Sequence, residues 1–465
     1  MRFVANLRDE TINAFLAGGI QPRAYLLSSH RVTPSTLESA ARVRDLGLPV
    51  FADNGTKELI DATLDLFDPD AKPIRDEVRD IRREIGHTPR GSEVPDSLRA
   101  KAKSLAKAVV AHATVTSDAI DAEELLVTQL SMDPTDLIAQ EDFATACVMG
   151  LGLEREITGF SVNQLRSRNK RSLRLWQTVA NDPRCQDIRV HAVLSAMDFN
   201  TAQAAGRLAA QADIRFAALG IAGINRDSSA TDFFVINKAS RRLDRPAPRR
   251  YVRLTQILRG LEIGMAQTGH ALTSFHCLGL GATAMLPIPA ACFGGSVGLT
   301  TDATSPIHDA IRDQVYYEFE NRGARVSTSA IANRTVQDEP WAFSSPFEQD
   351  FRDEFGHDAD AAKEWWVAHE MPQIDRTHLQ TEPELNDALP LLGEIETDLR
   401  RRGERVRVAS NHWTIGELAA VYQPSDDRPG LAYEALTALS VGSGTVVARG
   451  AEAAINILEA SGFHR

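Results

Sequence analysis

The hydrophobic pattern of this chain switches repeatedly between two periods. Short apolar runs bounded by Gly, Pro, Asn or Asp read as strands, and longer stretches with apolar positions every three or four residues read as helices. The strand candidates are Arg23-Ala-Tyr-Leu-Leu-Ser, Leu48-Pro-Val-Phe-Ala, Glu124-Leu-Leu-Val-Thr-Gln-Leu-Ser, Val190-His-Ala-Val-Leu-Ser, Ile214-Arg-Phe-Ala-Ala-Leu-Gly, Ser274-Phe-His-Cys-Leu-Gly and Ser296-Val-Gly-Leu-Thr. Between them lie helical patterns of crossover length, including one from about Ser35, one over 57–67, Thr201–Ala212 and Tyr251–Thr268. Strands alternating with helices imply parallel βα units, and their number favours a closed TIM-type (β/α)8 barrel over an open sheet. From Ile74 to about Ala113 the chain is charged and Ala/Leu/Val-periodic, broken by Gly91 and Pro95, which predicts a helical insertion at about 70–115. After about Ala310 the rhythm changes to helices, acidic turns and the aromatic patches Trp341 and Trp365-Trp366. The expected organisation is a barrel over 1–315 and a mainly helical C-terminal extension over 316–465.

Two of the apolar runs end in aspartate. Leu-Gly-Leu-Pro-Val-Phe-Ala closes on Asp53-Asn54-Gly55-Thr56, and Gly-Ser-Val-Gly-Leu-Thr-Thr closes on Asp302-Ala303-Thr304-Ser305-Pro306. Asp before Asn-Gly or Ser-Pro is ordinary turn chemistry. In a β/α barrel, however, C-terminal strand ends form the active-site rim. Two carboxylates on one rim can divide a glycosyl-type substitution, one as nucleophile and one as proton carrier.

Composition narrows the class. A chain of 465 residues, 43 % hydrophobic and 25 % charged, has the make-up of a globular protein with room for more than a minimal barrel. It has no apolar run approaching the roughly 18 residues of a membrane helix, and no signal-peptide core opens it. Cys147, Cys185, Cys277 and Cys292 are scattered without a Cys-x-x-Cys pair, which argues against a disulfide framework and a cysteine-rich zinc site. A cytoplasmic location is the expectation. The net charge of −12 hides an uneven distribution: residues 151–260 hold 19 Lys and Arg against 9 Asp and Glu. Two basic clusters stand out there, Arg166-Ser-Arg168-Asn-Lys170-Arg171 with Arg174, and Arg241-Arg242-Leu-Asp-Arg245-Pro-Ala-Pro-Arg249-Arg250. The first reads either as a phosphate-binding face or as a solvated helix face, and the second, with Pro246 and Pro248, as a loop.

In order along the chain, five segments resemble the tRNA-guanine transglycosylases and their DNA-modifying relatives, which exchange guanine for a deazaguanine. Phe51-Ala-Asp53-Asn54-Gly55 is similar to the family's Asp-Ser-Gly-Gly strand end. Leu130-Ser-Met132-Asp133-Pro134, followed by Arg171-Ser-Leu-Arg-Leu-Trp176, resembles its leucine-rich run ending in Asp and the helix after it. Phe216-Ala-Ala-Leu219-Gly220-Ile-Ala-Gly223 resembles its purine-contacting segment, and His276-Cys-Leu278-Gly279-Leu280-Gly281 its His-Leu-Leu-Gly-Val-Gly strand. Asp302 matches its nucleophilic Asp. The resemblance spans roughly residues 20–315. Asn54 and Thr56 replace the family's Ser and second Gly, and Val193-Leu194-Ser195 stands where a glutamine usually follows the Val-Val strand. The zinc subdomain of the tRNA enzymes is absent, which points toward the DNA-modifying branch.

The resemblance implies a base exchange in which Asp302 forms a covalent glycosyl intermediate and Asp53 carries the proton. Asp133, an acceptor when ionised, is the candidate for the N1–H and exocyclic amine of guanine. Asn54, Gly55, Leu219, Gly220 and His276 are the other base-contact candidates, although a histidine on an apolar strand also reads as a core residue. Arg166, Arg168, Lys170, Arg171, Arg249 and Arg250 are the nucleic-acid-contact candidates. The implied partners are DNA, or else tRNA, and a 7-deazaguanine base, with a second copy of the chain or accessory proteins of a modification system also open. No cofactor, metal or membrane is expected; His369 and His378, near Glu364 and Glu370, have no zinc-ligand spacing. Three other readings remain: a tRNA enzyme without the zinc subdomain, a barrel nucleoside or glycoside hydrolase, and a non-catalytic nucleic-acid-binding subunit.

Overall fold

Eight parallel strands close into a barrel in the computed structural model, which describes residues 1–7, 22–227, 229–311, 314–316, 325–327, 407–442 and 445–463. The barrel strands are β1 (Arg2–Asn6), β2 (Tyr25–Ser28), β3 (Val50–Asp53), β4 (Asp136–Ile138), β5 (Arg189–Val193), β6 (Phe216–Gly220), β9 (Ser274–Leu278) and β10 (Gly298–Ala303). An antiparallel hairpin, β7 (Ala230–Ile236) and β8 (Ala239–Pro248), separates β6 from β9 in the chain. Strand order round the barrel is β1-β10-β9-β6-β5-β4-β3-β2. This is a TIM-type α/β barrel, with helices outside the strands and further helices in the C-terminal region.

Val4, Leu26, Phe51, Ile138, Val193 and Ala218, one from each of six strands, fill the barrel interior. Side chains alternate across a strand, so the residue two further on faces the same way and arrives at the C-terminal mouth. That rule delivers Asn6, Ser28, Asp53 and Gly220 to one rim. On the outside, the Phe199–Gln211 and Arg249–Ala266 helices cross backbone to backbone: a Cβ on Gly264 would stand 2.3 Å from the Gln203 carbonyl oxygen.

The structure corrects two element assignments. Glu124–Ser131 is not a strand: a helix covers Ala122–Leu130, and Asp121 caps it by accepting from the Glu123 and Glu124 amides. The capping carboxylate satisfies N–H groups that a strand would leave to a neighbour, so the local helix prevails over β-propensity. The strand follows at Asp136–Ile138, only three residues long. Arg241–Arg250 is not a loop but the second strand of the hairpin running into a helix, which begins at Arg249. The two prolines fit there because this strand pairs on one side only.

β1 was not among the strand candidates, yet it joins β10 to β2 and closes the barrel. The helical insertion has two arms, Thr56–Ile85 and Asp96–Asp118, and the first is continuous with the helix that leaves β3. Ile60, Leu64 and Ile74 on one arm and Leu98, Ala102 and Val109 on the other belong to the main hydrophobic core. In the C-terminal region, residues 407–420, Arg428–Gly442 and Thr445–Ala460 are helical. Leu436, Ala454 and Leu458 share the core of Leu254, Leu258 and Ile288. The buried Arg428 guanidinium donates to the carbonyls of Phe293, Gly294 and Val297, the last at 2.5 Å. No helix among the described residues is long and apolar enough to cross a membrane. Trp341, Trp365, Trp366, Glu364, His369, Glu370 and His378 lie outside the described residues.

Candidate active site

Asp53 and Asp302 line one cavity of about 300 Å³ at the C-terminal mouth of the barrel. That volume lies at the lower end of the range usual for small-molecule sites, about 300–1,000 Å³. Asn54, Glu141, Gly220, Ala222, Leu278 and Gly279 complete its inner wall, and Lys57, Asp61 and Arg226 lie toward the helix that follows β3. Lys57 pairs with Asp61 at 2.7 Å, and Arg226 pairs with Asp61 at 3.1 Å and Asp65 at 2.8 Å. Both cations are therefore held by carboxylates of one helix.

With Asp61 paired to Lys57 and Arg226, the other three carboxyl groups of the cavity, Asp53, Glu141 and Asp302, cannot all ionise easily. Burial, then the charge of Asp302, then that of Glu58 push the Asp53 carboxyl up to about 7, against the Asn54 and Gly55 amides that point at it. Burial, Asp53 and Asp142 push Glu141 up to about 8. Near neutral pH, Asp53 can therefore hold a proton and give it up. Asp302 is held differently. Its Oδ1 receives the Gly279 amide at 2.9 Å and faces His276 Nε2 at 3.2 Å. The Asp53 carboxyl and the Asp302 carboxyl, whose Oδ1 is anchored by two donors, line the same cavity.

Glu141 is the site residue that sequence reasoning missed. It leaves β4 through Asp136-Leu-Ile-Ala-Gln-Glu141-Asp142, an apolar run handing over to carboxylates just as at Asp53 and Asp302. The signal was present but overshadowed by the apolar pattern of the preceding helix. Asp133, assigned the base-reading role in its place, does not join the site. It precedes β4, so it lies at the opposite end of a parallel barrel; its side chain is 80 % exposed and pairs with Arg44 at 3.3 Å.

The remaining candidates divide. Gly220 lines the cavity, and its bare Cα faces Glu141, whose Oε1 would stand 3.6 Å from an added Cβ. The Leu219 side chain points away into the outer core. Asn54 lines the cavity, but its amide is occupied: Nδ2 donates to the Ala139 carbonyl at 2.8 Å and Oδ1 accepts from the Thr56 amide at 2.9 Å. Gly55 makes the turn, with φ of 70° and His30 packed where a Cβ would sit. His276 is fully buried below the cavity with both ring nitrogens bonded.

Three of the six basic candidates, Arg168, Arg171 and Arg249, pair with carboxylates of the fold. Arg168 donates to Asp142 at 2.9 Å and Thr114 at 2.8 Å, and Arg171 pairs with Asp142 at 3.6 Å and with Asp118. The Asp142 amide donates to Ser172 Oγ at 2.9 Å. The Arg-Ser pair at 171–172 thus clamps the loop that carries Glu141. Arg249 is buried between Glu154 at 3.0 Å and Asp227 at 3.5 Å, which corrects its assignment to a nucleic-acid face. Arg250 is half-buried with its guanidinium 5.8 Å from the centre of the Tyr251 ring. Arg166 and Lys170 are exposed.

Fold and cavity together define a TIM-type barrel with a carboxylate-lined site at its C-terminal rim. Comparison with protein-family models and with curated proteins finds no match.

Proposed function

We propose that this chain is a guanine transglycosylase that exchanges a guanine in nucleic acid, DNA rather than tRNA, for a 7-deazaguanine through a covalent aspartyl-glycosyl intermediate. The observation that carries this reading is the unequal setting of two carboxylates in one cavity. Asp53 is pushed up to about 7, and Asp302 is anchored through its Oδ1. In this mechanism Asp302 attacks the sugar anomeric carbon, and the protonated Asp53 supplies the proton that lets the base depart. The incoming base then returns a proton to Asp53 and displaces Asp302. Glu141 takes the role that the sequence resemblance gave to Asp133: once ionised, it accepts from the N1–H and exocyclic amine of a guanine edge. Gly220 leaves room for the base beside it. A base in a duplex reaches such a cavity only when flipped out of its stack.

The polymer is proposed on narrower grounds. The tRNA-docking zinc subdomain has no counterpart in the sequence, and Arg166 and Lys170 remain as exposed phosphate contacts. A cytoplasmic setting belongs to the same proposal and fits the four buried free thiols. The test is incubation with DNA and with tRNA plus labelled guanine or a 7-deazaguanine, reading modified nucleosides by mass spectrometry. Incorporation into DNA that is lost in Asp302→Asn is the expected result. Release of guanine with an abasic site left in the polymer would make the protein a hydrolase, insertion into tRNA alone would reassign the polymer, and binding without exchange would leave a non-catalytic subunit.

A further inference from the structure

His276 and Asp302 form one hydrogen-bonded unit on adjacent strands. The register sets Thr300 of β10 beside His276 of β9, and Asp302 follows two residues up the same face. His276 Nδ1 lies 2.7 Å from Thr300 Oγ1, and Nε2 lies 3.2 Å from Asp302 Oδ1. The ring stacks on Phe51 at 5.2 Å and meets His191 edge-on at 6.3 Å. Packed on these sides and bonded at both nitrogens, it has no free atom for a ligand. The Gly279 amide reaches the same Oδ1 at 2.9 Å, from a backbone with φ of 84°. An added Cβ there would meet nothing nearer than Ile221 Cγ1 at 3.8 Å, so conformation rather than space calls for glycine. With Oδ1 accepting from Gly279, the consistent assignment has the Thr300 hydroxyl donating to Nδ1 and the Nε2–H donating to Oδ1.

We propose that His276 is a positioning residue, which with the Gly279 amide pins Oδ1 of Asp302 and makes Oδ2 the reacting oxygen. This rests on the reading of Asp302 as nucleophile. An Oδ2 lone pair forms the bond to the anomeric carbon as the glycosidic bond breaks. That bond pair leaves with the base nitrogen, and the Asp53 proton passes to the departing base. Oδ1 becomes the ester carbonyl oxygen and keeps both donors. In the second half the incoming base loses its N–H proton to Asp53 and bonds to the anomeric carbon. The electron pair of the carbon–Oδ2 bond returns to Asp302, where the two N–H groups stabilise the returning charge. A donor at Oδ1 thus assists departure of the carboxylate more than its attack, and favours base exchange over a stalled ester.

Three measurements test this. Selective ¹⁵N-histidine labelling should show His276 protonated at Nε2, with a resonance that moves in Asp302→Asn. Turnover in His276→Leu should fall by about 10²-fold, the usual effect of removing one such donor, and covalent adduct should accumulate on denaturing gels. His276→Gln, whose side-chain amide supplies a donor, should recover most of the loss. An Nδ1–H tautomer overturns the proposal whatever Asp302 does. Equal defects in the Leu and Gln variants, or loss of turnover without adduct accumulation, also overturn it. If instead the tautomer is as assigned and the wild-type protein forms no adduct, the nucleophile reading fails, and the pinned Oδ1 remains only as a structural bond.

Discussion

Replacing Asp53 with asparagine should stabilise the folded protein at alkaline pH while removing the proposed proton carrier. The Asp53 carboxyl is pushed from its ordinary 3.8 to about 7, so folding favours its protonated form. Between those two values the unfolded chain has released this proton and the folded chain still holds it. Stability therefore falls as pH rises, by about 1.4 kcal/mol per unit, until the folded group also ionises. From pH 5 to pH 7 and above, this one group withdraws roughly 3 kcal/mol, a figure shared with Glu141, whose upward shift partly reflects the charge on Asp53. The carboxamide of the Asp53→Asn variant does not titrate, so that part of the decline should vanish. Urea unfolding of both proteins at half-unit steps from pH 5 to pH 8.5 measures the difference directly. The expected curves diverge, with the variant flatter and its advantage largest above pH 7. Base exchange in the variant should drop by about 10²–10⁴-fold, the range for a lost general acid. Parallel stability curves would refute the placement of Asp53 in a desolvated, like-charged cavity.

Glu141→Gln should raise KM for the base with a smaller effect on kcat. Wild-type base affinity should rise as pH climbs through about 8, where the carboxyl ionises and becomes a pure acceptor; a flat wild-type profile would remove it from the base-reading role. Neutralising Arg166 and Lys170 together should weaken DNA binding equally across sequences and reduce the log–log salt slope by about 2; an unchanged slope would place the polymer elsewhere. Arg249→Ala should leave that slope alone and destabilise the fold by about 1.5–3 kcal/mol, the size of a lost charged hydrogen bond, since Asp227 keeps Arg253 at 2.9 Å; a urea midpoint equal to wild type would contradict its interior placement.

The barrel and its two aspartates were legible in the chain alone. Both follow from local information: an apolar run alternating with a helical one marks a βα unit, and a carboxylate that ends such a run is carried to the rim by the pleat. The insertion was legible for the same reason, since its arms repeat a helical period over many residues. Which other residues meet the two aspartates depended on the folded arrangement. β4 is three residues long, too short to show a period, so the choice between Asp133 and Glu141 turned on where that strand begins. β1 is a strand because β10 and β2 lie on either side of it, a fact of closure rather than of its own five residues. Arg249 and Lys170 look alike in a charge count, yet one faces the buried Asp227 and the other solvent. The partnership of His276 with Asp302 joins residues 26 apart through the register of neighbouring strands. Side-chain alternation is written along the chain; the pairing of one strand with another is settled only when the barrel closes.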